Sequence, residues 1–130
     1  MAATRDETVG VSNVAALTAR VDALRNDVDE ADGYAEACRA AASRLQGTVA
    51  TLAGVSVDTG SMRSRSARVV RATAKAEDAQ DAIRSTRSTL DGTVDDLRGI
   101  ARKYERKADA ARADLRVAQA ELAAVRNGVG

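Results

Sequence analysis

The sequence predicts an all-α protein, a long antiparallel helical hairpin of coiled-coil type, and three observations carry that expectation. No Pro occurs in 130 residues, which removes the strongest helix breaker, and abundant Ala, Leu and Arg favour helix. Val14, Leu17, Val21, Leu24, Val28, Ala31, Ala35, Cys38, Ala42, Leu45, Val49 and Leu52 follow one another at alternating spacings of three and four. In a chain that is 45% apolar, an unbroken run of that length arises by chance on the order of once in ten thousand placements. Such a period of 3.5 keeps one seam facing a partner helix. Finally, Gly54, Ser56, Asp58, Thr59, Gly60 and Ser61 supply turn chemistry where the run ends.

Helix one is expected over about 12–53, with Ser12 or Asn13 capping its first N–H groups. A turn over 54–61, opened by Gly54, leads to helix two over about 62–126, where Asn127 and Gly128 end it. The whole of 1–130 reads as a single helical domain. The apolar seam of helix two runs Val69, Ala72, Ala76, Ala79, Ile83, Thr86, Leu90, then Val94, Leu97, Ala101, Tyr104, Ala108, Ala111, Leu115, Ala118, Leu122 and Val125. Two successive steps of four, 86 to 90 to 94, form a stutter beside Asp91-Gly92. A break near Gly92, with Thr93 capping a third helix, makes a three-helix bundle the alternative fold. Asp32-Gly33 is the weak point of helix one, and there the heptad phase continues undisturbed.

A tight turn near residue 57 would set Leu45 opposite Val69, Ala42 opposite Ala72, Cys38 opposite Ala76 and Ala35 opposite Ala79. Helix two then overhangs the start of helix one. The overhang carries Ala101, Tyr104, Ala108, Ala111, Leu115, Ala118, Leu122 and Val125, an apolar stripe that a solitary helix leaves in water. The expectation is a partner-binding seam that docks on a copy of the chain or on a related hairpin, with Tyr104 as its largest knob.

Net charge is +1 but unevenly spread. Residues 1–37 hold eight acids against Arg5, Arg20 and Arg25, while residues 38–76 hold seven bases against Asp58 alone. Arg63, Arg65, Arg68, Arg71 and Lys75 form a basic tip with no acid among them, a possible anion-binding site for nucleic acid or a membrane surface. Interleaved aromatics and groove-reading motifs are missing, which argues against nucleic acid. Acidic residues 22–36 are the natural counterpart for the tip in a neighbouring hairpin.

Nothing in the sequence suggests catalysis: there is no His, no second Cys and no Gly-rich phosphate loop. No enzyme activity, cofactor or metal is expected. Carboxylates such as Asp78 and Asp81, or Asp91 and Asp95, alternate with bases as solvated helix faces do. Cys38, the one cysteine, sits at a seam position and reads as a small buried thiol or as an interchain disulfide in a dimer. No apolar run of membrane-spanning length occurs, and Met1–Gly10 is polar, without the apolar core of a secretory signal.

A helical hairpin with few aromatics, no signal peptide and Leu52-Ala53-Gly54 at its turn resembles the WXG100 (ESAT-6-like) family. Leu52 stands where that family has Trp, and the family's Tyr-x-x-x-acid pattern is offset here, because Asp109 lies five residues after Tyr104. The resemblance implies a hairpin that dimerises into a four-helix bundle and is a substrate of type VII secretion or its pairing partner. It further implies a protein that is cytoplasmic before export and secreted without a signal peptide. The rival expectations are an anion-binding module that uses the basic tip, and a structural assembly subunit.

Overall fold

A computed structural model describes the backbone of residues 2–56 and 66–128 and, within those spans, the side chains from Asn13 onward. The described chain is all-helical and consists of two helices that pack as a hairpin, α1 (Ala2–Ala53) and α2 (Ala67–Arg126). α1 begins some ten residues before the expected cap at Ser12 or Asn13. Nothing between Ala2 and Gly10 forbids helix, and an unused cap residue is simply carried inside it. At its other end α1 stops where the sequence places the stop. The Gly54 N–H donates to the Ala50 and Thr51 carbonyls at 3.3 and 3.1 Å, and the Val55 N–H donates to the Leu52 carbonyl at 3.1 Å. The last turn thus tightens to shorter-range bonds that satisfy carbonyls left open at a helix end.

α2 starts at Ala67 rather than near 62. Ser66 precedes it, and its carbonyl accepts the Val70 N–H at 3.0 Å, the first bond of the helix. Residues 57–65, which include most of the expected turn and Arg63 and Arg65, lie outside the described residues. The helix ends after Arg126 with the Asn127 N–H on the Ala123 carbonyl and the Gly128 N–H on the Val125 carbonyl. Gly128 has φ +69°, the left-handed conformation that glycine adopts without a Cβ penalty at helix C-termini.

The expected alternative, a break near Gly92, does not occur. α2 is helical through Gly92, and the Thr93 hydroxyl, instead of capping a new helix, donates back to the Thr89 carbonyl at 3.1 Å. The stutter disappears as well. Along the first half of α2 the less exposed residues are Val69, Thr73, Ala76, Gln80, Ile83, Arg87 and Leu90, whereas Ala72, Ala79 and Thr86 are exposed. Accepting Thr73, Gln80 and Arg87 restores strict alternation of four and three from Val69 to Val125, so no phase change is present to break the helix. Thr73 tolerates its seam position because its hydroxyl donates to the Val69 carbonyl at 2.9 Å.

Contacts divide the chain into two units, each pairing a stretch of α1 with a stretch of α2: residues 1–37 with 101–130, and residues 38–100. In the first unit Val21, Ala118 and Leu122 form a buried cluster, flanked by Val14, Leu17, Leu24 and Leu115. Later residues of α1 meet earlier residues of α2: Asp32 pairs with Arg112, and the Tyr34 ring meets that of Tyr104. The heptad phase of the two helices then sets Leu17 level with Leu122, Val21 with Ala118, Leu24 with Leu115, Ala31 with Ala108 and Ala35 with Tyr104. The alanine layers are the driest: Ala108 and Ala35 retain 0% and 1% of their exposure. Acidic residues Asp22, Asp27, Asp29, Glu30, Asp32 and Glu36 share this unit with Arg102, Lys103, Arg106, Lys107, Arg112 and Arg116.

In the second unit Ala42 and Val94 are buried, and Arg98 donates to the Gln46 side-chain carbonyl at 2.5 Å. The same heptad logic sets Ala42 level with Leu97, Leu45 with Val94, Val49 with Leu90 and Leu52 with Arg87. Leu45 therefore lies opposite Val94 rather than Val69, a slide of about 25 residues, or roughly seven helical turns, from the register that a tight turn predicts. Cys38, Ala42 and Ala35 likewise lose their expected partners Ala76, Ala72 and Ala79. Physically, the observed register covers every apolar seam residue of α1.

Candidate interaction surfaces

The slide changes what the seam over 101–125 can do. Ala101, Ala108, Ala118 and Leu122 are buried, and Tyr104, Ala111, Leu115 and Val125 are half-buried. This stripe lies in the unit that also holds residues 1–37, and Val14, Leu17, Val21 and Leu24 of α1 pack on its C-terminal part. The premise that these residues overhang α1 is thus corrected: the stripe is a core of this chain. Tyr104 is a core knob too, its ring centroid 5.1 Å from that of Tyr34 at an interplanar angle of 40°.

The two tyrosines lie on a shallow groove of the first unit, together with Asp27, Glu30, Lys107 and Asp114. Lys107 Nζ stands 5.3 Å above the Tyr104 ring, a cation–π contact at an exposed site. The Tyr34 hydroxyl donates to Glu30 Oε1 at 3.2 Å. That hydrogen bond, followed by the repulsion a phenolate would feel from the Glu30 carboxylate, raises the Tyr34 pKa above the ordinary tyrosine value. Nearby, Arg112 bridges Asp32 on α1 and Asp109 on its own helix, the latter at 3.0 Å. The hydrogen bond to Asp32 outweighs the opposing desolvation and makes Arg112 hold its proton more tightly still. The polar lining of the groove is thus three carboxylates, two phenols and one ammonium group.

In the second unit, Arg68, Arg71 and Lys75 line one exposed surface with Ala72, so the described part of the basic tip does share a face. Arg71 Nε donates to the Ala67 carbonyl at 3.3 Å. Arg63 and Arg65 lie outside the described residues. Leu52 is half-buried at the end of α1, and Gly54 is exposed. Cys38 is half-buried with a free thiol. Beyond Arg87, which is level with the last α1 seam residue, the stripe of α2 continues toward its N-terminus through Ile83, Gln80, Ala76, Thr73 and Val69, each half-buried. At the border, Arg87 buries its Nε without a hydrogen-bond partner.

Among the described residues no group of three or more His, Cys, Asp or Glu is placed to hold a metal ion, and no helix is long and apolar enough to cross a membrane. The sequence does not single out Tyr34, the Asp32–Arg112 pair or the seam places of Thr73, Gln80 and Arg87. Each had a signal: Tyr34 and Asp32 flank seam alanines, and Thr73, Gln80 and Arg87 fall at seven-residue intervals. No family model matches the chain, and no curated protein or solved structure matches it.

Proposed function

We propose that this is a non-enzymatic helical-hairpin interaction protein whose antiparallel helices associate with another hairpin by coiled-coil packing. The observation that carries the reading is the heptad seam itself: the two described helices pair along it, and it continues in phase along α2 through Ile83, Ala76 and Val69, all half-buried. A seam kept in heptad register along a whole helix supports packing against further helices.

A similarity to WXG100-type secretion substrates, or to their pairing partners, fits this reading. It is supported by the paired helices and by the end of α1 at Leu52-Ala53-Gly54. On that view the chain is cytoplasmic before export and leaves the cell without a signal peptide. Intact protein in culture medium, and genes for a type VII ATPase beside its own, are the expected outcomes; protein confined to lysate contradicts export.

The association itself is tested by a photo-crosslinking benzophenone side chain installed at Ile83, and as a control at Asp78 on the opposite helix face, in cells that make the protein. Crosslinks at 83 to a second copy or to another helical hairpin are expected. Equal yields at 83 and 78 overturn the reading. A second reading rests on the shared face of Arg68, Arg71 and Lys75: the tip binds an anionic polymer. Heparin affinity that falls steeply with salt and is lost on Arg68→Ala/Arg71→Ala supports it, and no binding at low salt ends it.

A further inference from the structure

We propose that Tyr34 and Tyr104 form an oxidative coupling site, at which a one-electron oxidant of the haem-peroxidase class, charged with hydrogen peroxide, joins the two rings by a carbon–carbon bond and so staples α1 to α2. The proposal stands apart from the association reading.

The two tyrosines are the whole aromatic content of the chain, which has no Phe, Trp or His. They come from different helices, yet their ring centroids are 5.1 Å apart at an interplanar angle of 40°. Both belong to the same packed unit, so the helix pairing holds them together. A carbon–carbon bond between two ring edges sets the centroids about 4.3 Å apart, from one bond of about 1.5 Å and a ring radius on either side. The remaining approach from 5.1 Å is under about 1 Å, within reach of side-chain torsions that relax in picoseconds to nanoseconds.

Tyr34 is the ring that loses an electron first. It is 49% exposed, so an oxidant reaches it from solvent, and its hydroxyl already donates to Glu30 Oε1 at 3.2 Å. An oxidised phenol is a strong acid. The Glu30 carboxylate accepts its proton as the electron leaves, which gives a neutral tyrosyl radical. Tyr104 is half-buried, and Lys107 Nζ lies 5.3 Å from its ring centroid, a positive charge that resists electron loss. It is therefore oxidised second, through Tyr34, which is then oxidised again. The two radicals couple at ring carbons ortho to the hydroxyls. Each ortho hydrogen leaves as a proton while its ring oxygen regains one. Overall the pair loses two electrons and two protons, and hydrogen peroxide takes them up to become two waters. Cys38, one turn beyond Tyr34 on α1, is the one thiol that can compete by reducing the Tyr34 radical.

The full chain carrying Cys38→Ala, dilute and treated with a haem peroxidase and hydrogen peroxide, tests the proposal. The expected product is a single chain lighter by two hydrogen atoms, with dityrosine fluorescence and a proteolytic fragment that joins the Tyr34 and Tyr104 peptides. It should unfold at a higher urea concentration than the untreated chain, because the closed loop restricts the unfolded state. Tyr34→Phe and Tyr104→Phe should each abolish the joined fragment at unchanged helicity, and Glu30→Gln should slow its formation severalfold. A photoexcited ruthenium polypyridyl complex with persulfate oxidises in urea too, and the folded chain should then join about tenfold faster than the unfolded one. Equal rates in the two states overturn the proposal, as do products confined to covalent dimers or to hydroxylated tyrosine. An unchanged rate in Glu30→Gln overturns its role as proton acceptor.

Discussion

Truncation of Leu122 separates the observed register from the one a tight turn would impose. Leu122 is 7% exposed and belongs to the cluster with Val21 and Ala118. Leu→Ala in a core costs about 2–5 kcal/mol, the spread reflecting how far the site collapses. Here the flanking Val14, Leu17, Leu24 and Leu115 are only partly buried, so they can close on the gap, and a loss of about 2–3 kcal/mol is expected. Val117, 58% exposed on the same helix, is the control, and Val117→Ala should stay within about 0.5 kcal/mol. The assay is urea unfolding followed by helical circular dichroism at a concentration low enough to keep the chain monomeric. Leu122→Ala combined with Leu17→Ala should be non-additive, because the two residues share one layer. Had residues 101–126 overhung α1, neither effect would appear. A Leu122→Ala variant as stable as the control refutes the packing described here.

Other outcomes follow from the same geometry. Gly33 and Gly92 lie inside helices, and a Cβ added to either meets nothing within 4 Å, so Gly33→Ala and Gly92→Ala should each raise stability by about 0.5–1 kcal/mol in the same melts. Tyr34 and Tyr104 are the only tyrosines, so an ultraviolet titration of Tyr104→Phe reads Tyr34 alone. Its ionisation should come above the ordinary tyrosine pKa and drop toward it in Glu30→Gln. Because the folded state holds that proton more tightly, the associated stability is full below the unfolded-state pKa and fades as pH rises through the raised one; a Glu30→Gln titration identical to wild type contradicts this. Asp32→Ala should lower stability slightly, with the difference from wild type vanishing at high salt, since the pair with Arg112 is half-exposed. A salt-independent loss would show that Asp32 acts through packing instead.

Leu115 and Leu122 also mark the boundary of what was legible in the sequence. The α1 seam was fully readable: all twelve apolar positions from Val14 to Leu52 are buried or half-buried, since each is the least polar choice on its turn. In the first half of α2 the pattern misled. Alanine occurs on every face of that helix, so an apolar search selected the exposed Ala72 and Ala79 over Thr73 and Gln80 and created a stutter that does not exist. The register was harder still. A heptad seam slid along its partner remains apolar against apolar, so periodicity alone cannot fix it. What fixes it is the filling of particular layers, Leu17 with Leu122 and Leu24 with Leu115, together with flanking charge such as Asp32 on Arg112. Within the chain, the acidic run over 22–36 has Asp32 on Arg112 of α2, a contact that charge counting along the sequence does not reveal. The start of α1 at Ala2 could not be read from its caps, because Ser12 and Asn13 mark a place where a helix can start without compelling it to.

The most direct test is a distance across the first unit. Spin labels at Arg20→Cys and Glu121→Cys, in a Cys38→Ala background diluted with unlabelled chain, sit on two residues that line one shallow groove. Pulsed dipolar spectroscopy is expected to give a single separation below about 20 Å, the reach of two labels across one helix pair. The register imposed by a tight turn would set position 20 level with about residue 94, some 27 residues from 121 and so roughly 40 Å away at 1.5 Å per residue. A distribution centred there would contradict the account.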